Sequence, residues 1–261
     1  MYLKFAWRYF KAKKSTNAIN IISWVTAGVI AFSTLCQVLV LSVFNGFEGL
    51  VKSLYSNFYS DVKVVPAQGK TFVMTQAQIK EIHKITGVSG TSLDVEEKAL
   101  LQSGDQQTVV LLKGVDSNYY EVSGVPQKMY HGSFNIGSLD KPKLILGAGI
   151  ESALSIQADR NLFPGTVFLP KKTNSKNLDP LSALSEGNAT TSGSFAIQQD
   201  FDNKYVITNM AFMKQQMNYQ PDEYSALEIS LSNPNQTEEF TQQLQKKLGD
   251  HFKVLTKYQQ N

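Results

Sequence analysis

Asp94, Glu96 and Glu97 set three carboxylates within four residues, a grouping that acid–base catalysis or cation binding could use. They fall in 91–101, which reads as a β-strand. There Asp94 and Glu96 share one face and Glu97 takes the other, so an exposed strand edge is expected rather than an acid–base pair. His83, His131 and His251 lack metal-ligand spacing and have no Cys or His companion, which makes them surface or packing histidines. Gly147-Ala148-Gly149 follows an apolar run and precedes a helical segment, as the start of a dinucleotide loop would. Ser152 stands at the third glycine position and no Rossmann repeat surrounds it, so a tight structural turn is expected. No Gly-x-x-x-x-Gly-Lys-Ser/Thr loop occurs, and Asn188-Ala189-Thr190 and Asn235-Gln236-Thr237 are glycosylation sequons by pattern only. No catalytic, cofactor-binding or metal-binding residue is therefore assigned; no cofactor is expected.

The strongest feature is an element. From Ser15 to Phe47 there is no Asp, Glu, Lys, Arg or His. Residues 19–44 at a helical rise of 1.5 Å span about 39 Å, enough to cross a hydrocarbon core of roughly 30 Å. This is read as a transmembrane helix. Lys4, Arg8, Lys11, Lys13 and Lys14 precede it, and the first charge after it is Glu48, which puts the N-terminus in the cytoplasm and everything from about Asn45 across the membrane. A cleaved signal peptide would have a shorter apolar region and a better cleavage site than Ser42-Val43-Phe44-Asn45. A buried helix of a soluble core would not carry five cations at one end.

With 42% hydrophobic and 18% charged residues, the remainder is an ordinary globular composition. Five of the 25 basic residues precede the span, leaving 20 against 22 acidic ones, so nothing points to nucleic acid. The single cysteine, Cys36, falls within the span and allows no intrachain disulfide.

Within 1–18, Tyr2, Leu3, Phe5, Ala6, Tyr9 and Phe10 recur at helical spacing while Lys4, Arg8 and Lys11 point away, which describes an amphipathic elbow on an anionic leaflet. In the span, Ser23, Ala27, Ala31, Thr34, Val38 and Ser42 lie on one side, and Gln37 beside them is the one strongly polar side chain near mid-membrane. Small residues allow close helix approach in lipid, so Ser23, Ala27, Ala31, Thr34, Gln37 and Ser42 are the candidate helix-packing interface for partner helices outside this chain.

Trp7-Arg8-Tyr9-Phe10-Lys11-Ala12-Lys13-Lys14-Ser15, the span, and the exit Leu41-Ser42-Val43-Phe44-Asn45-Gly46-Phe47-Glu48 together resemble the first transmembrane helix of the lipoprotein-releasing ABC transporter permeases, the LolC/LolE family, relatives of the MacB and FtsX permeases. The resemblance covers nearly the whole chain. Asp61-Val62-Lys63-Val64-Val65-Pro66 stands where that family has its first periplasmic strand. Leu146-Gly147-Ala148-Gly149-Ile150 stands at a strand-to-helix turn, and 195–205, ending Asp200-Phe201-Asp202-Asn203-Lys204-Tyr205, at a late strand. Such permeases continue into three further membrane helices. No second apolar run of spanning length occurs before Asn261, and the expectation is that these residues stop short of the second helix.

The expected fold class is α+β: one N-terminal transmembrane helix followed by a MacB-like periplasmic domain. The division is 1–18 cytoplasmic elbow, 19–44 transmembrane helix, 45–60 helical stalk and 61–261 periplasmic domain, with a core at about 61–115 and 226–261 and an inserted subdomain at about 116–225. Strands at 62–65 and 91–101 flank a helix at 75–86 with Ile79, Ile82, His83 and Thr86 on one side. Strands at 226–231 and 252–256 flank a helix at 237–248 N-capped by Thr237, with a Phe240, Leu244, Leu248 stripe. Two such β-α-β units suggest a ferredoxin-like core holding a mostly-β insertion. In the insertion, 107–115 is a hairpin strand after Gly104-Asp105, 143–146 and 166–169 are strands around a short helix at 150–154, and the polar stretch 171–194 is a mobile loop.

The resemblance implies a permease subunit, not itself an enzyme, in the bacterial inner membrane. Its partners would be a separate ABC ATPase subunit, a second permease subunit, lipoprotein cargo, a periplasmic carrier protein and membrane lipids. It would release lipoproteins toward that carrier. The alternative is an FtsX-like scaffold regulating a cell-wall hydrolase, and a weaker one is a single-span anchored binding domain acting alone.

Overall fold

Lys4 and Arg8 interrupt an aromatic run at helical spacing, and helix α1 (Tyr2–Lys11) forms there. Asn17 to Phe58 contains no proline and no charge before Glu48, and it is one continuous helix, α2 (Asn17–Phe58). The computed structural model describes residues 2–11, 17–160, 164–172 and 183–260. Within α2, the 30 residues Ile21–Leu50 are long and apolar enough to cross a membrane. Polar groups there are satisfied internally: the Thr26 and Thr34 hydroxyls donate to the carbonyls of Ile22 and Ile30 at 2.8 Å.

The chain divides into Met1–Lys52 and Ser53–Asn261. The second unit is mixed α/β. Its first half contains β1 (Val62–Pro66), β2 (Phe72–Val73), α3 (Gln76–His83), β3 (Val88–Ser103), β4 (Gln106–Val115), α4 (Tyr119–Val122) and β5 (Met129–Gly132). There follow β6 (Lys143–Gly147), α5 (Ala148–Ala153), β7 (Gly165–Pro170), β8 (Leu184–Phe195), α6 (Gln199–Asp202), β9 (Tyr205–Asn209) and α7 (Met210–Met217). The last elements are β10 (Glu223–Tyr224), β11 (Ala226–Leu231), α8 (Thr237–Leu248) and β12 (Phe252–Thr256).

The main sheet runs β12-β1-β11-β3-β4-β9-β6-β8-β5. It is a mixed sheet: β4–β9 and β6–β8 are parallel and the other pairs antiparallel. β3 belongs to two parts. Its first half pairs with β11, and its second half pairs with β4 on one side and β7 on the other. Because β7 also pairs with β8, the strands β3-β4-β9-β6-β8-β7 close into a ring. The hairpin between β3 and β4 turns on Gly104-Asp105 with Gly104 at φ +57°, the primed geometry that matches strand twist.

Alternation along the strands sorts the core. Val62, Val64, Leu93, Leu227 and Ile229 pack with Ile79 and Ile82 of α3 and with Phe240 and Leu244 of α8. Within the ring, Val95, Leu112, Leu146, Val167 and Val206 pack with Ile150 of α5 and Phe212 and Met213 of α7. Gln245 ties α8 to β12, accepting from Val254 N at 2.9 Å and donating to the Phe252 carbonyl at 2.8 Å.

Several expectations are corrected. Much of the loop expected at 171–194 is strand β8; residues 173–182 lie outside the described residues. Its polar composition conceals a period of two, with Ser185, Gly187, Ala189 and Thr191 buried and Leu184, Glu186 and Asn188 exposed. The inward residues are small because α7 covers them: a Cβ on Gly187 would lie 2.8 Å from the Phe212 ring. The strand expected to end at Tyr205 instead begins there, after the α6 turn. α3 stops at His83, leaving Thr86 outside it, and Ile85 joins the packed side instead. Thr75 caps α3 through a capping box with Gln78. Thr237 is not an N-cap: a 3-10 turn at Pro234–Gln236 precedes α8, and the Thr237 hydroxyl donates to the Pro234 carbonyl at 2.7 Å. Gly147-Ala148-Gly149 is the β6–α5 turn, where a Cβ on Gly147 would lie 2.2 Å from the Asp202 carbonyl oxygen.

Candidate functional site

The strand-edge reading of Asp94 and Glu96 is overturned. β3 is interior to the sheet, and Asp94 is fully buried. Register explains what surrounds it. Lys63 of β1 pairs with Glu228 of β11, Glu96 of β3 pairs with Lys113 of β4, and Asp94 lies two residues from Glu96 on the same face. All five point away from the helix-covered face into one cluster. Glu97, on the opposite face, binds Lys70 at 2.7 Å.

Lys113 is the hub. Its Nζ lies 2.6 Å from Glu228 Oε1, 2.8 Å from Asp94 Oδ2 and 3.9 Å from Glu96 Oε2. Lys63 Nζ lies 3.6 Å from Glu96, 3.7 Å from Asp94 and 3.9 Å from Glu228. Burial pushes the Lys113 ammonium toward neutrality, but Asp94 and Glu228 outweigh it and hold the group charged well above the ordinary lysine range. Burial acts likewise on Lys63, and the carboxylates again prevail.

Aromatic side chains close the cluster. Phe58, the last residue of α2, stacks on Phe201 with ring centroids 4.4 Å apart and meets Tyr205 at 4.4 Å. Lys113 Nζ sits 6.0 Å from the Phe58 ring and 5.6 Å from that of Tyr119. Burial raises the Tyr119 and Tyr205 phenols far above the ordinary tyrosine value, so both stay neutral. The end of the long helix is thus set in a ring of aromatic groups beside two ammonium groups.

This arrangement has no nucleophile with an adjacent base. Among the described residues no group of three or more His, Cys, Asp or Glu is placed to hold a metal ion. His83 Nδ1 lies 3.2 Å from Thr91 Oγ1 and His131 Nδ1 3.2 Å from Glu151 Oε2, both local contacts. What the cluster does is mechanical: its ion pairs tie β1, β3, β4 and β11 together, with Phe58 packed beside Lys113.

Ser23, Ala27, Ala31, Thr34, Gln37 and Ser42 all lie on α2, within Met1–Lys52, and all but half-buried Ser23 are exposed. Sequence reasoning missed Lys63, Lys113 and Glu228. The available signal was a lone charge inside an apolar strand: Val62-Lys63-Val64, Leu112-Lys113-Gly114 and Leu227-Glu228-Ile229.

No family model matches the chain. Over 239 residues, 88% of this chain and 54% of the relative's length, it is 22% identical to the lipoprotein-releasing system transmembrane protein LolE of Haemophilus influenzae. The chain is thus similar to a LolE-type permease along most of its length. It spans about half the length of the curated relative it matches. The periplasmic region of MacB from Actinobacillus actinomycetemcomitans has the same fold at a TM-score of 0.50 and 10% identity, over 76% of this chain and 88% of that one. The extracellular domain of the noncanonic ABC-type transporter YknZ from Gram-positive bacteria aligns with a TM-score of 0.45 and 11% identity, covering 75% of this chain and 99% of its own.

Proposed function

We propose that this chain is a permease subunit of an ABC transporter that releases lipoproteins from the inner membrane toward a periplasmic carrier, powered by a separate ATPase subunit. The observation that carries this reading is the LolE match, which runs through both the apolar helix and the sheet domain. In this reading the N-terminus is cytoplasmic and the sheet domain periplasmic, as the five cations before the span favour. The stripe Ser23, Ala27, Ala31, Thr34, Gln37 and Ser42 packs against helices of a second permease subunit. Residues 45–60 are the stalk. The order β12-β1-β11-β3, with α3 joining β1 to β3 and α8 joining β11 to β12, supports a ferredoxin-like core at about 61–115 and 226–261 with 116–225 inserted.

Depleting the gene product tests this. Lipoproteins destined for the outer membrane accumulate in the inner-membrane fraction if the reading holds; unchanged lipoprotein distribution contradicts it. One observation favours the FtsX-like scaffold as a second reading: an open cleft of about 770 Å³ lined by Tyr120, Phe134, Ile136 and Met210, with the apolar wall that a partner helix would use. That reading predicts defective cell-wall cleavage on depletion and normally sorted lipoproteins.

A further inference from the structure

The cluster contains two ammonium groups, Lys63 and Lys113, and three carboxyl groups, Asp94, Glu96 and Glu228; Lys113, Asp94 and Glu228 are buried, one cation against two carboxyls, while Lys63 and Glu96 at its rim are 14% and 21% exposed. With every group ionised it would carry one uncompensated negative charge among Phe58, Tyr119 and the sheet, where a buried unpaired charge is costly. The contacts show where the imbalance lies. The lysines approach Oδ2 of Asp94 and Oε1 of Glu228 as ion pairs; among the described residues, both Asp94 oxygens and Glu228 Oε2 are buried with no hydrogen-bond partner. Both side chains are about 1% exposed, and the two carboxyl groups crowd the same ammonium, Lys113 Nζ, at 2.8 and 2.6 Å. Two buried carboxyl groups set against one ammonium repel each other unless one of them binds a proton.

We propose that Asp94 and Glu228 share one bound proton at neutral pH, so that the cluster beside the last residue of α2 is a proton-binding site. The proton makes the orphaned Oε2 of Glu228 a donor and brings the cluster to neutrality, two positive against two negative charges. It sits on Glu228. Burial raises both carboxyls, but Lys113 and Lys63 hold Asp94 down to about 2, whereas for Glu228 burial and the Asp94 charge prevail and the net shift is upward. The groups facing the pair are Lys63 from β1, Glu96 from β3, Lys113 from β4, Tyr119 from α4, Tyr59 after α2, Tyr205 from β9 and Asp116 after β4. The tyrosines stay neutral, so the two lysines alone oppose the carboxylates. A group that binds its proton more tightly folded than unfolded stabilises the fold at low pH, and that contribution is lost as pH rises through the folded value. Alkaline pH therefore weakens the seat of Phe58.

The inference does not depend on the transport reading. It is tested by infrared spectroscopy of the full chain in detergent at pH 7, with glutamate or aspartate carboxyl carbons labelled with 13C. A protonated-carboxyl stretching band that moves with labelled glutamate and is absent from Glu228→Gln is the expected result. Unfolding the wild type at pH 7 should also release about one more proton than unfolding the variant. Should the variant fail to fold, the labelled wild type decides alone. No protonated band overturns the proposal and leaves both carboxylates ionised, and a band that moves only with labelled aspartate overturns the assignment of the proton to Glu228.

Discussion

Lys113 shows how much one side chain can be asked to hold. Its ammonium is the closest cation to two fully buried carboxyl groups, so Lys113→Met leaves them with only the more distant Lys63, at 3.7 and 3.9 Å, and should destabilise the domain by about 3–5 kcal/mol. Urea unfolding followed by near-ultraviolet circular dichroism measures this, since Tyr119 and Tyr205 lie in the affected region while Trp7 and Trp24 are both in Met1–Lys52. Adding Glu228→Leu to that variant should recover part of the loss. Asp94 makes the complementary acid-side prediction. Its folded value, about 2, lies below the ordinary 3.8, so its contribution is present above 3.8 and lost as pH falls through about 2. Asp94→Asn should flatten that acid limb, and an unchanged limb would remove Asp94 from the account. None of this was legible from the Asp94-x-Glu96 pair, because alternation tells which residues share a face but not whether that face is covered. Only the register with Lys63, Lys113 and Glu228, distant in sequence, settles burial.

At the scale of elements, sequence reading succeeded where composition and period agree. The apolar helix, the strands at 62–65 and 226–231 and the Phe240–Leu244 stripe of α8 were all legible. It failed at β8, whose inward positions are Ser185, Gly187, Ala189 and Thr191: with α7 supplying the bulk, the strand needs no large side chain of its own. The β6–α5 turn is close-packed for a similar reason. Gly147→Ala should cost about 1–3 kcal/mol, as overpacking does, because a rigid carbonyl of Asp202 occupies the space a methyl group requires. Chemical denaturation reads this directly, and a neutral outcome would mean that α6 yields. Phe58 joins α2 to the aromatic cluster, and Phe58→Ala should cost about 3–5 kcal/mol in the same assay. On α2 itself, Ala27→Leu with Ala31→Leu should weaken recovery of a partner permease while the near-ultraviolet spectrum of the sheet domain stays as in wild type. Equal recovery would show that the stripe faces lipid.

At the scale of the whole molecule, a helix fit to span a membrane and a MacB-like sheet domain share one chain, and Phe58, within the second unit, packs among the rings of Phe201 and Tyr205. The central claim is the proposed one, that the chain works within an ATP-driven permease complex. The decisive measurement is affinity purification of the full-length gene product from its native membrane in mild detergent, with mass spectrometry of what is retained. The account predicts an ABC ATPase, a second permease subunit, and lipoproteins or their periplasmic carrier. Retention of a cell-wall hydrolase without lipoproteins would shift it to the scaffold reading, and recovery of no ATPase at all would contradict it.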